Sequence, residues 1–369
     1  MTSHIAIVGA GIVGLSHAVA ALDAGYRVTV IEEGSAAQLA SIRNFGHVCT
    51  SVQAGEVGEL AREANPIWRS LAERAGVEAR VSGTLAVARS AAEEAVLVEL
   101  AGRTAANERE LLTAQQVARE LRLAEPGAIR AGLMLAGDLT ANPRTVVADL
   151  AAWVDAHERG EMRFSTSVRG IREGQHLTVE TNRGDIAADR VIVATGHLVG
   201  RLFPELAEDV RECVLQMARV RAPHDMGLGP AVLSGTSMLR YGAFAGPAQE
   251  ALRAETARIR PDLLDIGANV MFTQQPDGTL LVGDSHDYFD TAPPFLDERW
   301  SELLLADAAA LLGAPRLEVL ERWQGIYASS SERELLREQP IPGVHVVTVT
   351  TGIGMTIGPA LGARTIAAL

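Results

Sequence analysis

The opening of the chain restricts the fold more than any other stretch. His4-Ile-Ala-Ile-Val8 is a short run of strand formers, and it meets Gly9, Gly11 and Gly14 in the spacing G-x-G-x-x-G. A helical stretch from Ile12 to Ala24 follows and is stopped by Gly25; a second apolar run, Val28-Thr-Val-Ile31, then ends in Glu32. The three glycines have different mechanical roles. Gly9 turns the chain, Gly11 lets the backbone approach a pyrophosphate, and Gly14 lets helix and strand pack closely. The helix start offers N–H groups and a positive dipole end to phosphates. Glu32, about 20 residues beyond the first glycine, stands where an acid accepts hydrogen bonds from a ribose diol. An ordinary glycine-rich turn would leave that acid unexplained, so the stretch reads as a dinucleotide-binding strand–helix–strand unit.

Composition narrows what this unit serves. The 369 residues are 47% hydrophobic and only 4% aromatic, which suits an α/β protein with room for two interleaved domains. A net charge of −13 argues against nucleic acid or an anionic membrane as main partner. No apolar run approaches a membrane span, and a strand that starts at His4 leaves no room for a signal peptide, so the expected location is the cytoplasm. Two cysteines, Cys49 and Cys213, make neither a disulfide framework nor a metal cluster, and no metal is expected. All 33 basic residues are arginine. Without lysine there is no lysine Schiff base, no P-loop lysine and no lysine general base.

Further along, helices are expected over 56–75, 91–106 and 113–121, the last capped by Thr113, with strands over 80–89 and 129–135. Asn142-Pro143 reads as the cap and first position of a helix running to about His157. Short strands follow at 162–164, 168–171, 177–181 and 186–193, the last leading into Ala194-Thr-Gly196. From Glu212 to Val282 the pattern becomes that of a mostly antiparallel sheet, with a helix near 247–258 and a hairpin at Pro276-Asp-Gly278. A helix over 297–311, a segment 317–327, a strand 344–349 and a last helix after Thr351-Gly-Ile-Gly-Met-Thr356 complete the chain.

With those pieces placed, the sequence resembles the D-amino acid oxidase-like family of FAD-dependent amine oxidoreductases, which includes sarcosine and glycine oxidases. GAGIVG with Glu32, VIVATG at 191–196 and TGIGMT at 351–356 carry the resemblance, and it spans essentially the whole chain. It implies a Rossmann-like FAD-binding domain with a parallel sheet (1–80, 140–210 and 320–369), interleaved with an antiparallel-sheet substrate domain (81–139 and 211–319). It also implies a cofactor set. The ADP half of FAD falls to Gly9, Ala10, Gly11, Ile12, Val13, Gly14, Glu32 and Glu33. Ser41, Arg43, Asn44, Phe45 and Gly46 form the loop across the pyrophosphate and flavin face, and Val168 gives the backbone contact to adenine. Ala194, Thr195 and Gly196 pass near the ribityl chain. Gly352, Ile353, Gly354, Met355 and Thr356 set a helix N-terminus against the pyrimidine end of the flavin, where negative charge develops on reduction.

A bacterial subfamily associated with phosphonate breakdown is similar in SIRNFG (41–46), LQM (215–217), LRYGAFA (239–245), GDSH (283–286) and ERWQGIYASS (321–330). That resemblance implies oxidation of 2-aminoethylphosphonate or its N-methyl form to phosphonoacetaldehyde and an amine. The alternatives are a D-amino acid, glycine or sarcosine type of substrate, or a flavin-binding electron-transfer subunit with no substrate of its own. The chain departs from some relatives: no cysteine lies near Gly325 to attach flavin, and no lysine is available beside flavin N5 to promote reaction with O2, so the acceptor is O2 or another. His47 lies where certain relatives attach flavin to histidine; a histidine lining the ring without a bond is the simpler reading.

In such chemistry the cofactor carries the difficult step and the protein holds the substrate's anionic end. Arg240 is the first choice for a two-point grip on a phosphonate or carboxylate, placed in the antiparallel sheet, with surface arginine on a strand as its bland alternative. Tyr241 offers a hydroxyl beside it or is core, and Tyr327 lies in a segment that contacts flavin or substrate in relatives. His286 binds the anion, moves a proton near neutral pH, or caps a loop. Gln216 points to the flavin or to the opposite face, and alternation alone does not decide. Met217, Met271 and Trp323 read as core.

Overall fold

The computed structural model describes residues 3–103 and 109–369. Its organising feature is a six-stranded sheet in the order Leu335–Ile341, Val344–Val349, Arg190–Val193, His4–Val8, Arg27–Ile31, Gly160–Arg163. All neighbours are parallel except the edge strand Leu335–Ile341, which runs against Val344–Val349. Both faces are covered, which is why the central strands read as largely apolar runs. Ile5, Ile7, Val28 and Val30 pack with the helices Ile12–Asp23, Gly55–Ala75 and Gly354–Ala367. Ala6, Val8, Val191 and Val193 point the other way, onto a three-stranded antiparallel meander formed by Val168–Arg172, Leu177–Thr181 and Ile186–Ala188.

The second architecture is a nine-stranded mixed sheet built around the long strand Arg211–Arg221. Glu318–Ser329 runs antiparallel along one edge of that strand; Leu280–Gly283 and Asp287–Phe289 share the other. Period-two alternation sorts its side chains. Ala218 and Val220 face the helix Glu298–Leu311, whereas Cys213, Leu215 and Met217 face Phe45 and the helix Ala91–Ala101. A smaller three-stranded sheet (His47–Val48, Leu139–Ala141, Ala79–Val81) lies at the crossing between the two halves.

Several local expectations change. The run 80–89 is two strands, Ala79–Val81 and Thr84–Ala88, in two different sheets; Gly83, at φ 76°, makes the corner. The helix expected over 91–106 is Ala91–Ala101, opened by a capping box of Ser90 and Glu93, and 104–108 lie outside the described residues. Asn142 opens a turn rather than a helix. Its carbonyl accepts from Val146 N and its side chain from Arg144 N, and the regular helix runs Val146–Ala156. Thr113 does cap a helix, accepting from Gln116 N. Among the described residues no helix is long and apolar enough to cross a membrane, and no group of three or more His, Cys, Asp or Glu is arranged to hold a metal.

Candidate active site

A cavity of about 740 Å³ opens beyond the carboxyl ends of the parallel strands and reaches the face of the nine-stranded sheet that carries Leu215. This is where open parallel sheets bind ligands, because strand ends and helix starts converge there. Of the cofactor set expected from sequence, every residue lines the cavity except Ala10, Gly14 and Gly46, which act behind it. Gly14 packs so tightly that a Cβ would lie 2.0 Å from Gly9 O, and a Cβ on Gly46 would lie 1.9 Å from Ala141 O. Ala10 N donates to Glu32 Oε2 at 2.9 Å while Glu32 Oε1 accepts from Gly34 N at 3.0 Å, so the acid is aimed by the turn it closes. Ser41 Oγ accepts from Ile12 N at 2.9 Å, placing the 40–46 loop directly over the helix start. Asn44 braces that loop by donating to the carbonyls of Ala40 and Ser41 and accepting from Gly46 N. Arg43 Nη1 donates to Gln324 O across to the second sheet. Glu33 pairs with Arg201 at the rim.

These residues fit a dinucleotide. A Cβ on Gly9 would stand 2.6 Å from Ala194 O, so only glycine serves there, whereas one on Gly11 would meet only Ser41 Oγ, at 3.1 Å. Thr195 Oγ1 and Thr351 Oγ1 lie in the lining, buried and with no hydrogen-bond partner among the described residues; polar atoms left in that state call for a polar ligand.

The far end of the cavity is a polar cluster. Arg240 is half-buried and its Nη2 donates to Tyr327 Oη at 2.9 Å; among the described residues no carboxylate lies within 4.0 Å of it. It is not on a strand, as expected, but just past the one-turn helix Gly235–Met238, because Ser234 O takes Met238 N and the chain coils inward before Tyr241. Tyr241 lines the cavity beside Arg240, and burial raises its hydroxyl pKa, as it does that of Tyr327. His286 is buried, with Nδ1 2.9 Å from Gly267 O; burial and then Arg240 hold it well below the usual imidazole range, so it is neutral.

His47 lines the cavity as well, 7% exposed, with Nε2 2.6 Å from Thr84 Oγ1; burial lowers its pKa to about 4 against the pull of Asp138. Gln216 does not join them. It shares the alternate face of its strand with Ala218, and its Oε1 accepts from Ser301 Oγ at 2.7 Å, away from the cavity.

Sequence reasoning missed Asp284, Asn269 and Tyr288, all in the lining. Asp284 stands in the GDSH stretch that was weighed only for its histidine. It is 3% exposed, and burial pushes its carboxyl up to about 7, opposed by Arg240 and by the Asn269 amide. A charged residue inside an apolar-flanked motif was the available signal; Asn269 had none, because it meets Asp284 only through strand pairing. Cys49 also lines the cavity, its thiol raised to about 11 by burial, which keeps it in the inert form.

Comparison with known proteins agrees with this geometry. The profile of a family described as FAD dependent oxidoreductase (DAO) matches residues 4–369. A glycine oxidase of Pseudomonas aeruginosa is 26% identical over 297 residues, covering 72% of this chain and 80% of that protein. In fold, the chain is similar over its whole length to 94% of a glycine oxidase from Bacillus cereus (TM-score 0.77, 18% identity). It is likewise similar to 94% of a glycine oxidase from Geobacillus kaustophilus (TM-score 0.75, 21% identity). Over 98% of its length it also resembles 91% of an L-proline dehydrogenase from P. horikoshii (TM-score 0.75, 18% identity). With the strand–turn–helix cradle, the acid at the second strand and the profile match end to end, the chain belongs to the DAO family of FAD-dependent oxidoreductases.

Proposed function

We propose that this oxidoreductase acts on the C–N bond of a small amine that carries an anionic group, and that Arg240 holds the anion. The observation that supports this is a guanidinium facing a cavity with a tyrosine as neighbour and no carboxylate partner within reach. Arginine stays charged in proteins, and Asp284, beyond ion-pair distance and itself raised by burial, offsets that charge only in part, which favours an anionic ligand in contact with the guanidinium. When bound, FAD would supply the two-electron acceptor for this oxidation. Gly9, Gly11 and Ser41 would hold its pyrophosphate, Glu32 its ribose, and Gly354–Thr356 the pyrimidine end of its ring. The chain's other residues orient the substrate and exclude water.

The preferred substrate is an aminophosphonate, 2-aminoethylphosphonate or its N-methyl derivative, yielding phosphonoacetaldehyde and an amine. This preference rests on the SIRNFG, LRYGAFA, GDSH and ERWQGIYASS stretches together with Arg240. An amino carboxylate such as glycine, sarcosine or a D-amino acid is the second reading, favoured by the similarity to glycine oxidase. A subunit that only passes electrons would have no use for an arginine at the end of its cavity with no carboxylate in contact. The division into a cofactor domain (1–80, 140–210, 320–369) and a substrate domain (81–139, 211–319) belongs to the same proposal, with Glu318–Ser329 reaching across to the substrate sheet.

Anaerobic bleaching of the flavin by a panel of these amines tests the reading. Arg240→Met should leave FAD bound and raise the half-saturating substrate concentration about 100-fold, the loss of a two-point charged contact. Bleaching by amino carboxylates alone would sink the phosphonate assignment, and an unmoved half-saturation in R240M would remove Arg240 from the anion site.

A further inference from the structure

Opposite the Arg240 guanidinium, two hydrogen-bond acceptors face each other with no donor between them. His286 Nδ1 lies 2.9 Å from a carbonyl, Gly267 O, so that nitrogen carries the ring proton. In the neutral ring Nε2 is then a bare lone pair. It stands 3.8 Å from Asp284 Oδ2, beyond hydrogen-bond distance. Both groups are held firmly in this unfavourable pose. Asp284 and Asn269 exchange backbone N–H···O bonds in both directions, at 2.9 and 2.8 Å, and Asn269 Nδ2 donates to Asp284 Oδ1 at 3.0 Å. His286 N donates to Ile266 O, and its backbone and Cβ lie close on Gly267, where an added Cβ would come within 2.7 Å of His286 O and 3.1 Å of its Cβ. The second carboxylate oxygen has no hydrogen bond from the described residues, and both side chains line the cavity that Arg240 lines.

We propose that Asp284 Oδ2 and His286 Nε2 form the subsite for the substrate's amine, with Asp284 taking one of its protons. The proposal rests on the reading of the cavity as an amine site. An ammonium placed between the two acceptors gives each one N–H, satisfying both at once, while the anion meets Arg240. As one N–H bond breaks, an O–H bond forms on Oδ2: an ammonium and a carboxylate become a neutral amine and a carboxyl. Total charge is unchanged, and two buried charges disappear, which a water-poor cavity favours. The amine lone pair freed in this way is what makes the neighbouring carbon a donor of electrons. The charged and titratable groups that act on Asp284 are Arg240 and Tyr241 after the short helix, Cys213 on Arg211–Arg221 and His286 itself; Tyr288 on Asp287–Phe289 and Tyr327 on Glu318–Ser329 act on Arg240 beside it. Arg240 keeps a fraction of Asp284 ionised near neutrality, the form that accepts the proton.

The FAD-loaded protein and Asp284→Asn are compared by anaerobic flavin bleaching with 2-aminoethylphosphonate and glycine across pH. D284N should bleach ~100-fold more slowly at pH 7 and recover as rising pH deprotonates the amine in solution. Methylphosphonate and acetate, which lack an amine, should perturb the D284N flavin spectrum at the same or lower concentration than in the parent. A D284N pH profile parallel to the parent's would overturn the proposal. So would weakened binding of the amine-free anions, because Asp284 would then be only a counter-ion orienting Arg240. Should D284N fail to fold, the parent protein decides: the trimethylated form of the reactive amine, with no N–H to give, should bind at least ~10-fold more weakly than the amine itself. Equal binding would refute the subsite. If no amine bleaches the parent's flavin, the amine-site reading falls and this proposal with it; bleaching in the parent with an unmoved D284N profile removes this proposal alone.

Discussion

Asp138 offers the sharpest quantitative test, because four donors converge on one fully buried carboxylate. Oδ1 accepts from Thr50 Oγ1 at 2.6 Å, Ser51 N at 2.8 Å and Ser51 Oγ at 2.8 Å, and Oδ2 accepts from Thr84 Oγ1 at 2.6 Å. Thr84 has a single hydroxyl proton and gives it to Asp138, so the 2.6 Å contact with His47 must run from Nε2–H to Thr84 Oγ1. The ring is neutral, hence Nδ1 is bare, and Nδ1 is indeed buried without a partner among the described residues. Asp138→Ala leaves these donors behind. The three hydroxyls can rotate, but Ser51 N–H cannot, and a buried donor without an acceptor costs ~1–3 kcal/mol. With the lost charge-assisted bonds, the total should be ~4 kcal/mol, or a fall of about 5 °C in the unfolding midpoint of a chain this long.

Asp138→Asn separates the two roles of the carboxylate. The amide oxygen still serves Thr50 and Ser51, while its NH2 faces Thr84 and donates to it. Thr84 then passes its own proton toward His47 Nε2, and the ring proton must move to Nδ1. D138N should therefore cost ~2–3 kcal/mol, less than D138A: the difference between charged and neutral hydrogen bonds plus the Nδ1–H left without an acceptor. It should also convert the His47 tautomer, read from the ring nitrogen shifts by NMR. Thermal and denaturant unfolding of both variants, with and without FAD, supply the energies. Equal destabilisation by Ala and Asn, or an unchanged tautomer, would refute the chain of donors.

Two further outcomes follow from single contacts. Gly14→Ala drives a Cβ to 2.0 Å from Gly9 O, so the helix must shift off the strand; the purified variant should lose most of its flavin absorbance while far-UV dichroism keeps its helical content. Asp284 sets a pH dependence in the protein without substrate. Its folded pKa is raised by burial to about 7, so its contribution favours the folded state below an ordinary carboxyl's pKa and is lost as pH rises from about 4 through about 7. The span is worth up to ~4 kcal/mol, and subtracting the D284N stability profile should isolate it; a flat difference between pH 5 and 8 would show that Asp284 is not desolvated.

The cofactor half was legible in the amino-acid order. Gly9, Gly11, Gly14 and Glu32 are local in the chain, and their geometry follows from backbone sterics and from a strand–helix–strand unit short enough to be read as one piece. The central parallel strands announced themselves because both faces are buried and their residues are mostly apolar and β-branched. The lack of lysine removed whole mechanisms with no structure at all. Groups whose meaning depends on partners far along the chain had to wait for the folded molecule. Alternation could not tell which face of Arg211–Arg221 carries Gln216; packing of the helix Glu298–Leu311 settles it, through Ser301. Arg240 looked like a strand residue until the turn at Gly235–Met238 aimed it inward. Asp284 and Asn269 are 15 residues apart, and they meet because strands Met271–Gln274 and Leu280–Gly283 pair. Asp138 gathers Thr50, Ser51 and Thr84 from as many as 88 residues away. Propensity and periodicity describe neighbours along the chain, whereas buried polar groups are placed by hydrogen-bond partners brought close in space, and those partners leave no local pattern to read.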